Sequence, residues 1–237
     1  MNTSSKSEKN VKKGSATAVL QNLAYEELRS SLMRGVFAPG EKISLRHLAS
    51  DLGTSIMPVR AAVNKLIAER AFELRPNRTI VVPEMSKSKL TEITYWRMEL
   101  ESHATSLACD NIDEKSIRQL ENIDAEIIKL YQAGDWEGVL SENYKFHFAI
   151  YSKAQSTILL PMIENLWLLA GPFTYHSLPS PKFVWNVEEH IHIISALKTG
   201  NNKDAAQAMR SDIKNLFNFL LKNSFGEGQK LRRLVPD

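Results

Sequence analysis

The stretch LRHLASDLGTSIMPVRAAVNKLIAERAFELRPNRTIVVPE, residues 45–84, combines two short helical patterns, a glycine between them and an extended segment behind them. Ser44 and Ser55 precede the two helices as N-cap residues, and Pro58 is tolerated in the first turn of the second. Gly53 can take the positive φ that a tight turn between the helices needs. The apolar positions that the helices would share are Leu48, Leu52, Val59 and Val63. Such a pair predicts a helix-turn-helix, whose second helix lies in the major groove of DNA.

The flanking residues complete this N-terminal module. Apolar residues recur with helical spacing from Ala16 to Arg34, and Gly35 is a natural stop, so one amphipathic helix is expected there. Residues 72–84 are predicted to form two short strands around a polar tip at residues 76–79. The pattern therefore predicts three helices and a two-stranded wing within residues 15–83. An ordinary three-helix bundle with a hairpin is the alternative.

The charge is divided unevenly along the chain. Residues 1–83 carry 13 Lys and Arg against 7 Asp and Glu, a balance of +6, whereas residues 84–237 carry 17 against 20, a balance of −3. A basic module joined to a mildly acidic one is typical of a polyanion binder with an appended sensor or partner domain. Four lysines within the first 14 residues contribute much of the basic excess.

Composition argues against several classes of protein. The chain of 237 residues is 43% hydrophobic, enough for one or two packed domains, and it has no apolar run of the ~18 residues that a membrane span requires. The polar residues 1–14 do not resemble a signal peptide and are expected to be a disordered tail, as are residues 226–237. Cys109 is the single cysteine. It allows neither an internal disulfide nor a CxxC-type zinc site, so a core position in a soluble, cytoplasmic protein is expected.

Six helical patterns follow Met85. Apolar residues recur near every 3.6 positions in each pattern, so we expect an all-α antiparallel helical bundle over residues 84–225. The patterns cover residues 90–110, 112–134, 135–154, 157–171, 185–200 and 202–223. The breakers that separate them are Gly134, Gly171–Pro172, residues 179–181 and Gly200. Together with the winged helix-turn-helix, this bundle makes the predicted fold class mainly α.

Residues 45–84 resemble the winged-helix domain of the GntR superfamily of bacterial transcription regulators, which commonly contains LA-x-x-LG-x-S-R-T-PVREAL-x-x-L and a wing with Asn-Arg-Gly. The matching positions are Leu48, Ala49, Leu52, Gly53, Ser55, Pro58, Val59, Arg60, Leu66, Asn77 and Arg78. The resemblance implies binding to double-stranded operator DNA, with contacts from Arg46, Ser55, Arg60, Asn77 and Arg78. Alternatively, Arg60 could form an ion pair on the helix surface, and Arg78 could be a solvated loop charge.

Three departures from the GntR pattern concern the DNA-reading positions. Ile56 stands where the family usually has a base-contacting arginine, Ala61 replaces the common glutamate, and Thr79 replaces the wing glycine. Because other basic residues of the module remain, these changes indicate an unusual operator sequence rather than the loss of DNA binding.

The C-terminal bundle resembles the FCD domain, the all-helical effector domain of the FadR subfamily of GntR regulators. Its markers are Arg97, Leu100 and Glu101, the segment 143–147, the segment 189–196 and the segment 205–212. Many members hold a divalent metal with one Asp and three His at these positions. This chain has Asn143, His147, His190 and Asp212 there.

The resemblance thus implies a site for Zn, Ni or Mn in which carboxylate and amide have exchanged places. Asn143 and His147 are four residues apart and share one helix face, while His190 and Asp212 would approach from two other helices. The alternative is that these polar residues line a wet pocket by hydrogen bonding.

Family members of this kind bind small organic acids, so the resemblance also implies an effector and a homodimer on a palindromic site. Arg97 could anchor the effector's carboxylate, and Tyr175, which follows the expected break at Gly171–Pro172, could reach the same ligand. Equally, Arg97 and Glu101 are four residues apart and could simply pair.

Three functions are compatible with these patterns. A ligand-responsive transcription regulator, with repression as the family's habit, accounts for both modules. A metalloenzyme would use His147 and His190, but the chain has no HExxH motif or other recognisable catalytic signature, so no enzymatic activity is expected. A DNA-binding architectural protein without an effector is the third alternative.

Overall fold

The computed structural model describes residues 4–178 and 187–225, with side chains at residues 17–178 and 188–225. The chain divides into two compact units, Met1–Glu84 and Met85–Asp237. This division lies one residue beyond the boundary expected at residue 83.

The first unit contains three helices and a small sheet. The helices are α1 (Ser4–Met33), α2 (Leu45–Asp51) and α3 (Ile56–Ala68). The strands are β1 (Lys42–Ile43), β2 (Glu73–Leu74) and β3 (Ile80–Val81), paired antiparallel in the order β1–β3–β2. Helix α1 packs along α3, and the buried side chains of this core include Leu28, Leu32, Val59, Val63, Leu66 and Phe72.

The turn between α2 and α3 forms as the sequence predicts. The Ser44 side chain accepts a hydrogen bond from the backbone N–H of His47 at 3.4 Å and caps α2. Ser55 occupies the N-cap of α3 without a side-chain hydrogen bond to the helix, and Gly53 has a φ of 57°. The predicted winged helix-turn-helix is confirmed.

Two details of the first unit differ from the expectation. The sheet has a third strand, β1, because Lys42 and Ile43 pair with β3; a strand of two residues is too short to show alternation in sequence. Helix α1 begins at Ser4, so residues 4–14, expected as a disordered tail, are helical. No proline interrupts that segment, and Gly14 costs a helix only about 1 kcal/mol.

The second unit is the predicted helical bundle. Its elements are α4 (Lys87–Cys109), α5 (Glu114–Ala133), α6 (Trp136–Tyr151), a short 3₁₀ helix (Ser152–Ala154), α7 (Leu159–Ser177), α8 (Val187–Lys198) and α9 (Asn202–Phe225). Helix α4 packs against α9 and α7, whereas α5 packs against α6 and α8. The Asp113 and Asp135 carboxylates cap α5 and α6, because each accepts a hydrogen bond from a backbone N–H in the first turn of its helix. Gly134 ends α5 with a φ of 74°.

The expectation of a corner at Gly171–Pro172 is wrong. Helix α7 continues through Pro172 to Ser177. A proline inside a helix removes one backbone hydrogen bond, but Pro172 and its neighbour Phe173 are buried, so the packing of the bundle stabilises the continued helix. The expected breakers at residues 179–181 and the C-terminal tail at 226–237 lie outside the described residues.

Cys109 is 7% exposed and lies in the core as expected, and burial raises the pKa of its thiol. Within the described residues, no helix is both long and apolar enough to cross a membrane.

Candidate DNA interface and metal centre

The DNA-reading residues proposed from the sequence all lie at the surface of the first unit. Arg46, Ser55, Arg60, Asn77 and Arg78 are exposed. On α3, the apolar face made by Val59, Val63 and Leu66 is buried, which turns Arg60 toward solvent. Neither Arg46 nor Arg60 forms an ion pair with any described residue. The alternative role of Arg60, an ion pair on the helix surface, therefore has no support among the described residues.

The wing tip is a tight turn built by backbone and side-chain hydrogen bonds. The N–H of Arg78 donates to the carbonyl of Arg75, and the N–H of Arg75 donates to the carbonyl of Thr79, each at 2.9 Å. The Asn77 carboxamide oxygen accepts from the N–H of Thr79 at 3.1 Å. Arg78 has a φ of 62°, a left-handed conformation that is uncommon for a residue other than glycine. The turn presents the Arg78 side chain to solvent.

Three of the four predicted metal ligands converge in the second unit. His147 on α6, His190 on α8 and Asp212 on α9 each offer a donor atom, and these atoms lie within 4.8 Å of one another. The carboxylate oxygens of Asp212 lie 3.4 Å from Nε2 of His147 and 4.0 Å from Nε2 of His190. Two donors bound to one ion at 2.0–2.2 Å are separated by about 3 to 4 Å, so the cluster has the size of a divalent-metal site.

A second layer of hydrogen bonds determines which imidazole nitrogens can bind a metal. Nδ1 of His190 lies 2.7 Å from a carboxylate oxygen of Asp124 on α5. Nδ1 of His147 lies 3.0 Å from the Tyr151 hydroxyl oxygen. The Tyr151 hydroxyl in turn donates a hydrogen bond to the Glu101 carboxylate at 2.5 Å. Since a carboxylate and a hydroxyl oxygen accept hydrogen bonds there, both imidazoles carry their proton on Nδ1 and turn an Nε2 lone pair toward Asp212.

Burial tunes the charges of this cluster. It lowers the pKa of His147 well below its usual value, with His190 and Arg97 acting in the same direction, so His147 is neutral at pH 7. Burial raises the pKa of Asp212 to about 6. It also raises the pKa of Tyr151, as does the neighbouring Glu101, so the phenol remains a donor. At neutral pH His147 is therefore a neutral imidazole and Asp212 is mostly a carboxylate. Together with the His190 imidazole they form a donor set that suits Zn, Ni or Mn.

Asn143, the fourth predicted ligand, is buried on α6 one turn before His147. The helix geometry places both side chains on one face, as the sequence predicts. By contrast, His192 is exposed on α8, although it lies only two residues from His190.

Arg97 forms an ion pair within its own helix. Its guanidinium contacts the buried Glu101 carboxylate at 2.6 and 3.4 Å and lies 4.4 Å from the centre of the Trp167 ring. Burial opposes the charge of Arg97, but Glu101 raises its pKa above the usual value. The simple pairing expected as the alternative therefore forms, and Glu101 links Arg97 to Tyr151 and so to His147.

A narrow cavity beside Arg97 lies among α4, α7 and α9. Its volume is about 10 Å³, enough for one water molecule at most. Arg97, Thr94 and Thr174 are the polar residues of its lining, and the remaining lining residues are apolar. Tyr175 is absent from this lining; its ring packs against His176 at 5.2 Å, on the continued helix α7 rather than after a break.

Comparison with known proteins agrees with both halves of this description. Residues 20–82 match the family of bacterial regulatory proteins called the gntR family, and residues 92–215 match the FCD domain. McbR of Escherichia coli K12, an HTH-type transcriptional regulator, is 30% identical over 198 residues, which cover 81% of this chain and 90% of McbR. The chain belongs to the GntR family of bacterial regulatory proteins.

Two further comparisons concern repression and fold. The HTH-type transcriptional repressor GlaR of E. coli K12 is 30% identical over 167 residues, covering 68% of this chain and 71% of GlaR. The solved structure of E. coli McbR/YncC superposes with a TM-score of 0.79 at 28% identity, covering 86% of this chain and 97% of that one. This GntR-family protein is therefore a DNA-binding transcription regulator with an FCD effector domain.

Sequence reasoning missed the residues that orient the candidate metal ligands. Asp124 contacts His190 across 66 positions of sequence, and no motif connects them. Tyr151 could have been found, because it follows His147 by four residues on the same helix face.

Proposed function

We propose that this regulator is a repressor whose affinity for operator DNA is controlled by a small organic acid bound beside a divalent metal in the FCD domain. The observation that carries this proposal is the convergence of His147, His190 and Asp212 with both histidine Nε2 lone pairs turned inward. Such a preset donor set would bind a divalent ion with little rearrangement.

In this proposal, the ion is held by Asn143, His147, His190 and Asp212. These four ligands would leave open positions on an ion that prefers more than four. A divalent ion with an open position attracts and orients a carboxylate, so the expected effector is an organic acid. The side chains of this chain supply two imidazoles, one negative charge and the hydrogen bonds that orient the imidazoles.

Arg97 and Tyr175 remain candidate effector-binding residues. Because Glu101 already neutralises Arg97, we expect Arg97 to act on the ligand by long-range attraction and by supporting Tyr151, not by a direct two-point contact. The cavity beside Arg97 would have to widen before it held more than water.

On the DNA side, we propose that Arg60 and Arg46 contact bases or nearby phosphates, that Ser55 binds phosphate, and that Asn77 and Arg78 place the wing. Their exposure and the lack of ion pairs at Arg46 and Arg60 among the described residues support this assignment. A homodimer would present two such surfaces to a palindromic site. The similarity to GlaR, a transcriptional repressor, supports the sign of regulation.

The experiment combines elemental analysis with gel shifts. Untagged protein purified without added metal should contain about one divalent ion per chain, His190→Ala should lose it, and His192→Ala, an exposed change on the same helix, should keep it. The protein should shift DNA from upstream of its own gene, and a set of organic acids should include one that releases it. Metal-free wild-type protein would contradict the metal site, and DNA binding that no acid alters would contradict effector control.

A further inference from the structure

Helix α3 begins with two consecutive large apolar side chains in solvent. Ile56 is 36% exposed and Met57 is 69% exposed. The core-facing side of the helix is already complete, because Val59, Val63 and Leu66 are entirely buried. Met57 gains little from folding, and together with Ile56 it forms an adjacent exposed apolar pair at the start of this helix, a feature that can mark an interaction surface.

This pair lies on the side of α3 that carries Arg60. Ile56 precedes Arg60 by four residues and Met57 precedes it by three, so the three side chains are neighbours on one helix surface. In a helix-turn-helix, the first residues of the second helix contact base edges in the major groove. The apolar pair therefore occupies the part of the protein that reads DNA.

The chemistry of the groove limits what these side chains can recognise. Neither isoleucine nor methionine donates a hydrogen bond, and neither carries charge, so they cannot read the polar edges of bases. The C5-methyl group of thymine is the apolar feature of the major-groove edges. The exposed cations Arg46, Arg60 and Arg78 supply the attraction that brings this surface to DNA.

We propose that Ile56 and Met57 determine operator specificity by apolar contact with the C5-methyl groups of thymines, next to the base pair contacted by Arg60. The proposal rests on the DNA-binding role of α3 given above. It assigns part of the base reading in this helix to methyl groups, and it predicts thymines at fixed positions in each half-site.

The test uses the full-length protein and an operator obtained by selection from random duplexes. Each thymine of the selected half-site is then replaced by uracil, which removes only the methyl group. Replacement of one contacted thymine should weaken binding about fourfold, the effect of one lost apolar carbon. Replacement of the corresponding thymine in both half-sites should weaken binding about 16-fold. Replacement outside the contacted positions should have no effect.

A second pair of duplexes separates the methyl group from the base. Cytosine and 5-methylcytosine at the contacted position also differ by one methyl group, and the methylated duplex should bind more tightly by a similar factor. This pair shows whether the methyl group itself is recognised, and comparison with thymine shows which source of the methyl group binds better.

Variants connect the methyl effect to the two side chains. In Ile56→Ala/Met57→Ala, the thymine and uracil duplexes should bind equally. Arg60→Ala should weaken both duplexes while preserving their ratio. Ile158→Ala, a change at an exposed apolar position in the second unit, should alter nothing. Sequence-specific binding without any uracil effect, or with an unchanged ratio in the double variant, would overturn this proposal alone. The absence of all DNA binding would overturn the regulator function as well.

Discussion

A carboxylate oxygen of Asp124 lies 2.7 Å from Nδ1 of His190, although 66 positions separate the two residues in the sequence. Asp124 comes from α5 and His190 from α8, and the Phe146 ring stacks on the imidazole at 3.9 Å. The carboxylate accepts a hydrogen bond from Nδ1–H of His190, and the stacked Phe146 ring limits rotation of the imidazole. Together they present Nε2 of His190 to the metal cluster.

Asp124→Asn should therefore weaken metal binding about 10- to 100-fold, because the amide no longer fixes the tautomer and orientation of His190. Titration calorimetry with zinc would measure the change. Glu121→Gln is the matched control, since Glu121 lies one turn earlier on α5 and pairs with Lys198 at the surface. Equal zinc affinity in the Asp124 variant and wild type would show that the hydrogen bond does not support the site.

Tyr151 should be a stabilising residue as well as an orienting one. Tyr151→Phe keeps the ring but removes a hydroxyl that contacts Glu101 and His147 in the core. Loss of one hydrogen-bond donor to a buried carboxylate lowers the free energy of unfolding by about 1 to 3 kcal/mol. Urea denaturation would measure this loss. Tyr95→Phe, at a half-exposed position on α4, should stay within ~0.5 kcal/mol of wild type.

Asp212 should contribute more stability to the metal-free protein as the pH falls from 7 toward 5, whereas His147, whose pKa burial lowers, acts in the opposite direction over the same interval. Burial raises the pKa of Asp212 from 3.8 to about 6, so the folded state binds a proton more readily than the unfolded state. Stability from this group is complete below the unfolded pKa and is lost as the pH rises through about 6, with an upper limit of about 3 kcal/mol.

Urea denaturation at several pH values in the presence of a chelator would test this pH dependence. Asp212→Asn cannot titrate, so the free energy of unfolding of the wild type relative to this variant should rise as the pH falls from 7 toward 5. An identical pH profile for the variant and wild type would place the titration elsewhere.

Arg60→Ala should weaken binding to the selected operator roughly 5- to 150-fold at fixed salt, as expected for the loss of a two-point contact with guanine. Fluorescence anisotropy at several salt concentrations would distinguish this contact from a phosphate contact, which would weaken all sequences about equally. Arg118→Ala, an exposed arginine on α5 in the second unit, should retain wild-type affinity. Unchanged operator affinity in Arg60→Ala would remove Arg60 from the DNA-binding site.

The local sequence was sufficient to predict the helix-turn-helix. Its caps, its turn glycine and its apolar spacing act over a few residues, so Ser44, Gly53 and Val59 have the predicted roles in the structure. The prediction was less accurate where packing overrides local preference. Pro172 is a helix breaker in isolation, but it remains inside α7 because the surrounding bundle stabilises the turn that contains it.

For the metal cluster, the sequence alone determined the residue types and the shared face of Asn143 and His147, because helical spacing relates positions four residues apart. Only the tertiary structure decided that Asp212 meets both imidazoles and that Asp124 and Tyr151 hold them. The tertiary structure also decided that Arg97 forms a buried ion pair with Glu101. These contacts depend on how the helices pack against one another, and packing brings together residues whose separation along the chain carries no local signal.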